Sequence, residues 1–159
     1  MTEVKEESFI GKFMVLKGAV RELWIIFGTK ILTIIAYGLV GTSTLGLWLS
    51  SDLGMSDQHA GIVIASWSSV LTIFTVMVGS LVDAVGIRKS LLAGFGLCVL
   101  ARFVMSFFSV PWIALPLGLL PLALGEALQT PVMVAAVKRF STTRQRSIAF
   151  SIYYSMMNV

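Results

Sequence analysis

AGIVIASWSSVLTIFTVMVGSLV, residues 60–82, contains no Asp, Glu, Lys, Arg or His. A helix needs about 20 consecutive, mostly apolar residues to cross the hydrocarbon core of a bilayer, and this stretch supplies them. Reading outward finds comparable runs at 24–49, 91–110 and 112–137, and a further one that begins near Ile148 and is still running at Val159. A soluble domain of this size has nowhere to hide so much apolar surface. Of the 159 residues, 57% are hydrophobic and 13% charged, against about 25% charged in ordinary soluble domains. The expectation is an all-α membrane protein with four complete transmembrane helices plus the start of a fifth. A membrane bundle does not stop in mid-span, so the chain reads as an N-terminal part truncated in helix 5.

The basic residues set the orientation. Lys5, Lys12, Lys17 and Arg21 precede the first run, Arg88 and Lys89 follow the second, and Lys138, Arg139, Arg144 and Arg146 follow the fourth. The connections at 51–59 and 109–111 hold neither Lys nor Arg. Cytoplasmic loops carry the Lys and Arg excess, which places the N-terminus in the cytoplasm of a multi-pass protein of the cell membrane. The net charge of +4 therefore belongs to loops beside a lipid bilayer, and no nucleic-acid partner is expected. Phe9, Phe13, Leu16, Val20 and Leu23 recur at helical spacing with Lys12, Lys17 and Arg21 between them. This divides the chain into a cytoplasmic tail, 1–23, with an amphipathic interfacial helix, and a transmembrane bundle, 24–159. The alternative for the tail is a simple extension of helix 1.

Pro111, Pro116, Pro121 and Pro131 all fall in or just before the fourth run. Each internal one removes a backbone donor, so this helix is expected to be kinked and to face protein or cavity and not lipid. Lys30, Thr33 and Tyr37 continue through Gly41 and Thr44 as a polar stripe on helix 1, and Ser151, Tyr154 and Asn158 form another on helix 5. Small and hydroxyl residues also serve close helix packing. Lys30 and Asn158 favour a substrate cavity lined by Lys30, Thr33, Tyr37 and Asn158, although Lys30 has the alternative of snorkelling to the headgroups.

Arg102 and Glu126 lie inside spans as well. Counted at about 1.5 Å per residue from the cytoplasmic helix ends, they reach similar depths. Glu126 is thus a candidate proton-coupling group, with a structural ion pair to Arg102 as the alternative. A charge at the membrane centre costs at least about 2.5–3.5 kcal/mol and so calls for a partner or a function. One histidine, His59, and one cysteine, Cys98, give no metal cluster and no nucleophile–base set. No enzyme and no cofactor is expected, with protons as the candidate coupling ion.

The segment between the second and third runs reads Gly79-Ser80-Leu81-Val82-Asp83-Ala84-Val85-Gly86-Ile87-Arg88-Lys89-Ser90-Leu91. It resembles the signature loop of the major facilitator superfamily, with Ala84 and Ile87 replacing two arginines. The resemblance implies a cytoplasmic latch carried by Gly79, Asp83, Gly86 and Arg88. Tyr37-Gly38, Leu53-Gly54-Met55-Ser56-Asp57, Gly125, Pro131 and Phe150-Ser151-Ile152-Tyr153-Tyr154 with Asn158 are similar to the proton-dependent oligopeptide transporter group. That group's acidic and arginine motif on helix 1 is lacking, since Thr29, Leu32 and Thr33 stand there, and Thr130 replaces its helix 4 lysine.

The function implied is a secondary active transporter that moves a small polar or anionic solute by alternating access, completed by a C-terminal half after Val159. The alternative is a non-transporting membrane sensor or assembly module that reuses the fold.

Overall fold

The computed structural model describes residues 15–39 and 41–157. Among these, a 3-10 turn, Val15–Gly18, precedes six helices. Helix α1 spans Arg21–Leu39, and α2 spans Thr42–Leu47 and passes into a π-helical turn, Trp48–Asp52. Helices α3, Asp57–Val85, and α4, Ile87–Phe107, follow. Helix α5 runs over Pro111–Phe140 and includes a π-helical turn, Leu115–Leu119, and α6 spans Thr143–Met157.

Three of these helices, α3, α4 and α5, are long and apolar enough to cross a membrane. This corrects the expectation of four complete spans plus a fifth. The apolar run at 24–49 is divided between α1 and α2, and Gly41, in extended backbone, is the N-cap of α2. The reason is local. Gly38 and Gly41 flank the division, and glycine costs about 1 kcal/mol relative to alanine inside a helix. The sequence that follows, Thr42-Ser43-Thr44, is made of residue types that form helix less readily than alanine or leucine. Counting apolar residues is blind to both effects. Helix α6 has 15 described residues, about 22 Å at the helical rise and short of a hydrocarbon core of about 30 Å. The expected amphipathic helix falls outside the described residues through Met14. Beyond that point, Leu16 is buried in the turn and α1 begins at Arg21.

Helix starts and stops follow from named side chains. The Ser56 hydroxyl accepts from the His59 backbone N–H at the start of α3 and meets His59 Nδ1 at 2.8 Å. The single histidine is therefore part of a helix cap. Gly86 separates α3 from α4 with φ +91°, a conformation that glycine adopts without a Cβ penalty.

The chain forms two compact units, one made of described residues through Ile35 together with Ala135 onward, the other of Ala36–Val134. In the second unit, Leu45, Leu49 and Leu53 pack in one cluster with Ala101, Met105, Ala114, Leu119 and Leu122. A second cluster joins Val78 and Val82 of α3 to Ala127, Leu128 and Val132 of α5. Helices α4 and α5 approach backbone to backbone. A Cβ on Gly125 would lie 2.7 Å from Cys98 Sγ and 2.8 Å from the Gly94 carbonyl oxygen. The Trp67 indole donates to the Leu119 carbonyl at the end of the α5 π-turn (3.1 Å), where Pro116 and Pro121 disturb regular helix pairing. The outer faces of α3 and α4 expose Ile73, Val76, Met77, Leu92, Val99 and Phe103, surface that a bilayer accepts and water does not.

In the first unit, α6 buries Gln145, Ala149 and Tyr153, one residue per turn along a single face. Gln145 Nε2 donates to the Val15 carbonyl (3.1 Å), and its Oε1 accepts from the Thr142 N–H (3.3 Å). Helix α1 buries Leu23, Ile26, Phe27 and Lys30, again one face.

Candidate functional site

Two cations set among apolar helix faces organise the candidate site residues, one in each unit. Lys30 continues the apolar stripe of Leu23, Ile26 and Phe27, so its stem is packed where a leucine would sit. It is 8% exposed, and its ammonium lies 5.2 Å from the centre of the Tyr153 ring. Lys30 is thus held over an aromatic face. Among the described residues, no carboxylate is within ion-pair distance of it. A desolvated cation–π contact is worth about 2 kcal/mol, which falls short of the roughly 2.5–3.5 kcal/mol or more that a mid-helix charge costs. Tyr153 is fully buried, and its hydroxyl has no hydrogen-bond partner among the described residues.

The other helix 1 candidates behave differently. Thr33 is half-buried and spends its hydroxyl on the Thr29 carbonyl (2.9 Å), as Thr29 does on Ile25 (2.8 Å). The same bond to the preceding turn satisfies Thr72, Thr75 and Ser151. Hydroxyl stripes can therefore be satisfied within their own helices. Tyr37 belongs to the other unit and is exposed, and Asn158 lies outside the described residues. Tyr153 was not among the expected site residues. The signal for it is the spacing of four from Gln145 through Ala149 to Tyr153, a stripe set one residue off the Ser151 and Tyr154 pair.

In the second unit, Arg102 Nη2 is 3.7 Å from Glu126 Oε1, so the helices bring together the two charges of matched depth. Arg102 Nη1 also donates to the Ala36 carbonyl at 3.5 Å. That carbonyl sits in the last turn of α1, where acceptors lack partners within the helix. Arg102 Nε is buried and unpaired among the described residues. One guanidinium thus divides itself between a carboxylate and a helix end. Glu126 is the more enclosed partner, its side chain 15% exposed against 31% for Arg102. It follows Gly125, whose missing Cβ allows α4 to come close. Nearby, the buried Gln129 donates to Cys98 Sγ (3.0 Å).

The sequence profile of the Major Facilitator Superfamily matches residues 12–159. The chain belongs to this superfamily. No curated protein and no solved structure matches it. As a facilitator with several membrane-length helices, the protein is an integral, multi-pass membrane protein with a secondary-transport and non-catalytic role.

The facilitator signature segment, 79–91, straddles the α3–α4 junction. Asp83 lies in the last turn of α3, two residues before its end, and is exposed, as is Arg88 in the first turn of α4. No ion pair joins them among the described residues. Gly86 supplies the turn itself. Gly79 is exposed within α3, and a Cβ there would meet nothing within 4 Å.

Proposed function

We propose that this facilitator moves a small polar or anionic solute by alternating access, with Glu126 as the coupling proton site. The observation that carries the reading is the Arg102 guanidinium shared between Glu126 and the Ala36 carbonyl. A carboxylate inside the membrane with a single long contact at 3.7 Å is a poor permanent ion pair. It is a good exchangeable one: protonating Glu126 releases Arg102 to the helix end, and deprotonation draws it back. Both arrangements keep the guanidinium partnered, so the exchange avoids stranding a buried charge. The likeness to the oligopeptide group enters as architecture only. Thr29, Leu32 and Thr33 carry no charge with which to grip a peptide.

The reading implies that a second helical half completes the solute path, as repeats do in such carriers. The test reconstitutes the full-length protein in vesicles loaded with a pH dye. Small sugars, amino acids and organic acids are added outside. A transported solute should bring protons in with it. Glu126→Gln should abolish that proton influx and gradient-driven accumulation while solute exchange between equilibrated compartments continues. Proton influx that persists in Glu126→Gln would remove Glu126 from the coupling role. A variant that misfolds, and is rescued by also replacing Arg102, would make the pair structural.

A further inference from the structure

We infer that Lys30 and Tyr153 form a subsite for one carboxylate group, and that the solute is a small monocarboxylate. The inference rests on the transport reading and deepens it by naming the solute class. A buried hydroxyl and the ammonium of a largely buried lysine occur together on two helices of one unit. Lys30 is more than nine-tenths buried, and its ammonium has the Tyr153 ring as its only partner among the described residues. The Tyr153 hydroxyl is fully buried and makes no hydrogen bond there. Buried polar groups are almost always paired, so an unpaired hydroxyl beside an ammonium that has no carboxylate calls for a missing partner.

Among the unit's described residues nothing supplies that partner, and we assign it to an anionic ligand. Glu22 is the sole acidic residue among the unit's described residues, and it is exposed. It stands eight positions before Lys30, about 12 Å along the helix. No side chain of the unit's described residues is therefore placed to neutralise the ammonium. The donors also select the kind of anion. An ammonium and a phenol offer hydrogens from two directions, which suits the two oxygens of a carboxylate. The site carries one positive charge, so a monoanion is neutralised. A phosphate dianion would leave one charge uncompensated in apolar surroundings. Leu23, Ile26, Phe27 and Ala149 are buried on the same two helices, and in apolar surroundings a charge-assisted hydrogen bond gains strength.

The test measures thermal unfolding of the full-length protein in detergent with acetate, lactate, lactamide or inorganic phosphate titrated to saturation. Acetate or lactate should raise the midpoint by on the order of 5 °C, whereas lactamide, uncharged but similar in shape, and phosphate should not. Lys30→Met should lose the carboxylate response. Tyr153→Phe keeps the ring beneath Lys30 and loses only the hydroxyl, and should weaken the apparent affinity about tenfold. Should Lys30→Met fail to fold, the Tyr153→Phe titration alone decides. A carboxylate response that is absent from the wild type, or unchanged in these variants, overturns the subsite. The two readings fail separately. Lys30-dependent binding of lactate without exchange of labelled lactate in vesicles would keep the subsite and sink lactate transport. Proton-coupled uptake of some other solute with no carboxylate response would do the reverse.

Discussion

Lys30 and Arg102 are both cations placed among apolar helices, and the two regions hold them by different means. Arg102 divides its nitrogens between the Glu126 carboxylate and the Ala36 carbonyl. Lys30 has the face of Tyr153 and no carboxylate among the described residues. The difference follows from the side chains. A planar guanidinium has five donors in a fixed fork and can serve two acceptors at once, whereas an ammonium is a compact point charge on a flexible stem. The Arg102 region is a closed arrangement that needs its charge to stay intact. On the proposed subsite, the Lys30 region is an open one, in which the charge is a cost until something binds.

The strongest way to break this comparison is to make both cations apolar and compare the signs. Arg102→Met leaves Glu126 enclosed without a partner and frees the Ala36 carbonyl. Removing one member of a buried pair costs about 3–5 kcal/mol, and with Arg102 about one-third exposed we expect less, about 2–3 kcal/mol. Adding Glu126→Leu should recover most of it. Lys30→Met removes an uncompensated charge and should stabilise the ligand-free protein by about 1 kcal/mol. Denaturation midpoints in one detergent check both. Equal signs would show that the two regions treat their cations alike.

A smaller effect sharpens the account of how Glu126 is held opposite Arg102. The pair depends on α4 and α5 touching at Gly94 and Gly125, where an added Cβ would sit 2.7 Å from Cys98 Sγ and 2.8 Å from the Gly94 oxygen. The carbonyl is backbone and yields little. Gly125→Ala should therefore destabilise by about 1–3 kcal/mol, the usual cost of overpacking. It should also weaken the energetic coupling between Arg102 and Glu126 in a double-mutant cycle. Gly79→Ala meets nothing within 4 Å and should be neutral or slightly stabilising through helix propensity. Two glycines that look alike in the sequence thus separate cleanly in stability.

Much of this was legible in the residues before the structure. The membrane class is written in runs such as 60–82, because hydrophobic burial depends on composition more than on detail. The meeting of Arg102 and Glu126 follows from counting helical rise along antiparallel helices. Gly125 is readable as a contact point because only glycine lets backbones touch. The division of the first run was not legible, since hydropathy weighs Gly38 and Gly41 as mildly apolar and ignores their backbone freedom. Nor was Tyr153. Periodicity read the polar stripe of helix 5 through Ser151 and Tyr154, yet packing buries the adjacent stripe, and one residue on a helix is a rotation of about 100°. For Thr33, Thr72 and Ser151, a line of hydroxyls looks the same whether it faces water or bonds its own preceding turn.

The smallest expected effect reverses the comparison, and concerns the two buried glutamines. Gln145 belongs with Lys30 and Gln129 with Arg102, and both are nearly inaccessible. Gln145 makes two bonds to main-chain groups, donating to the Val15 carbonyl and accepting from the Thr142 N–H. It ties the Val15–Gly18 turn to the start of α6. Gln129 makes one bond, to Cys98 Sγ, and sulfur is a weak acceptor. Gln145→Leu should therefore cost about 1–2 kcal/mol, because it removes two hydrogen bonds to main-chain groups. Gln129→Leu keeps a similar volume and removes a weak contact, so it should stay within about 0.5 kcal/mol. The open region would then depend more on its uncharged polar contact than the closed region does. Hydrogen exchange at Thr142 separates the causes: a lost side-chain acceptor exposes that amide, whereas a mere packing defect leaves its protection in place. If the two glutamines proved equal, and the Thr142 amide were unmoved, the turn would be held by the burial of Leu16 and not by Gln145.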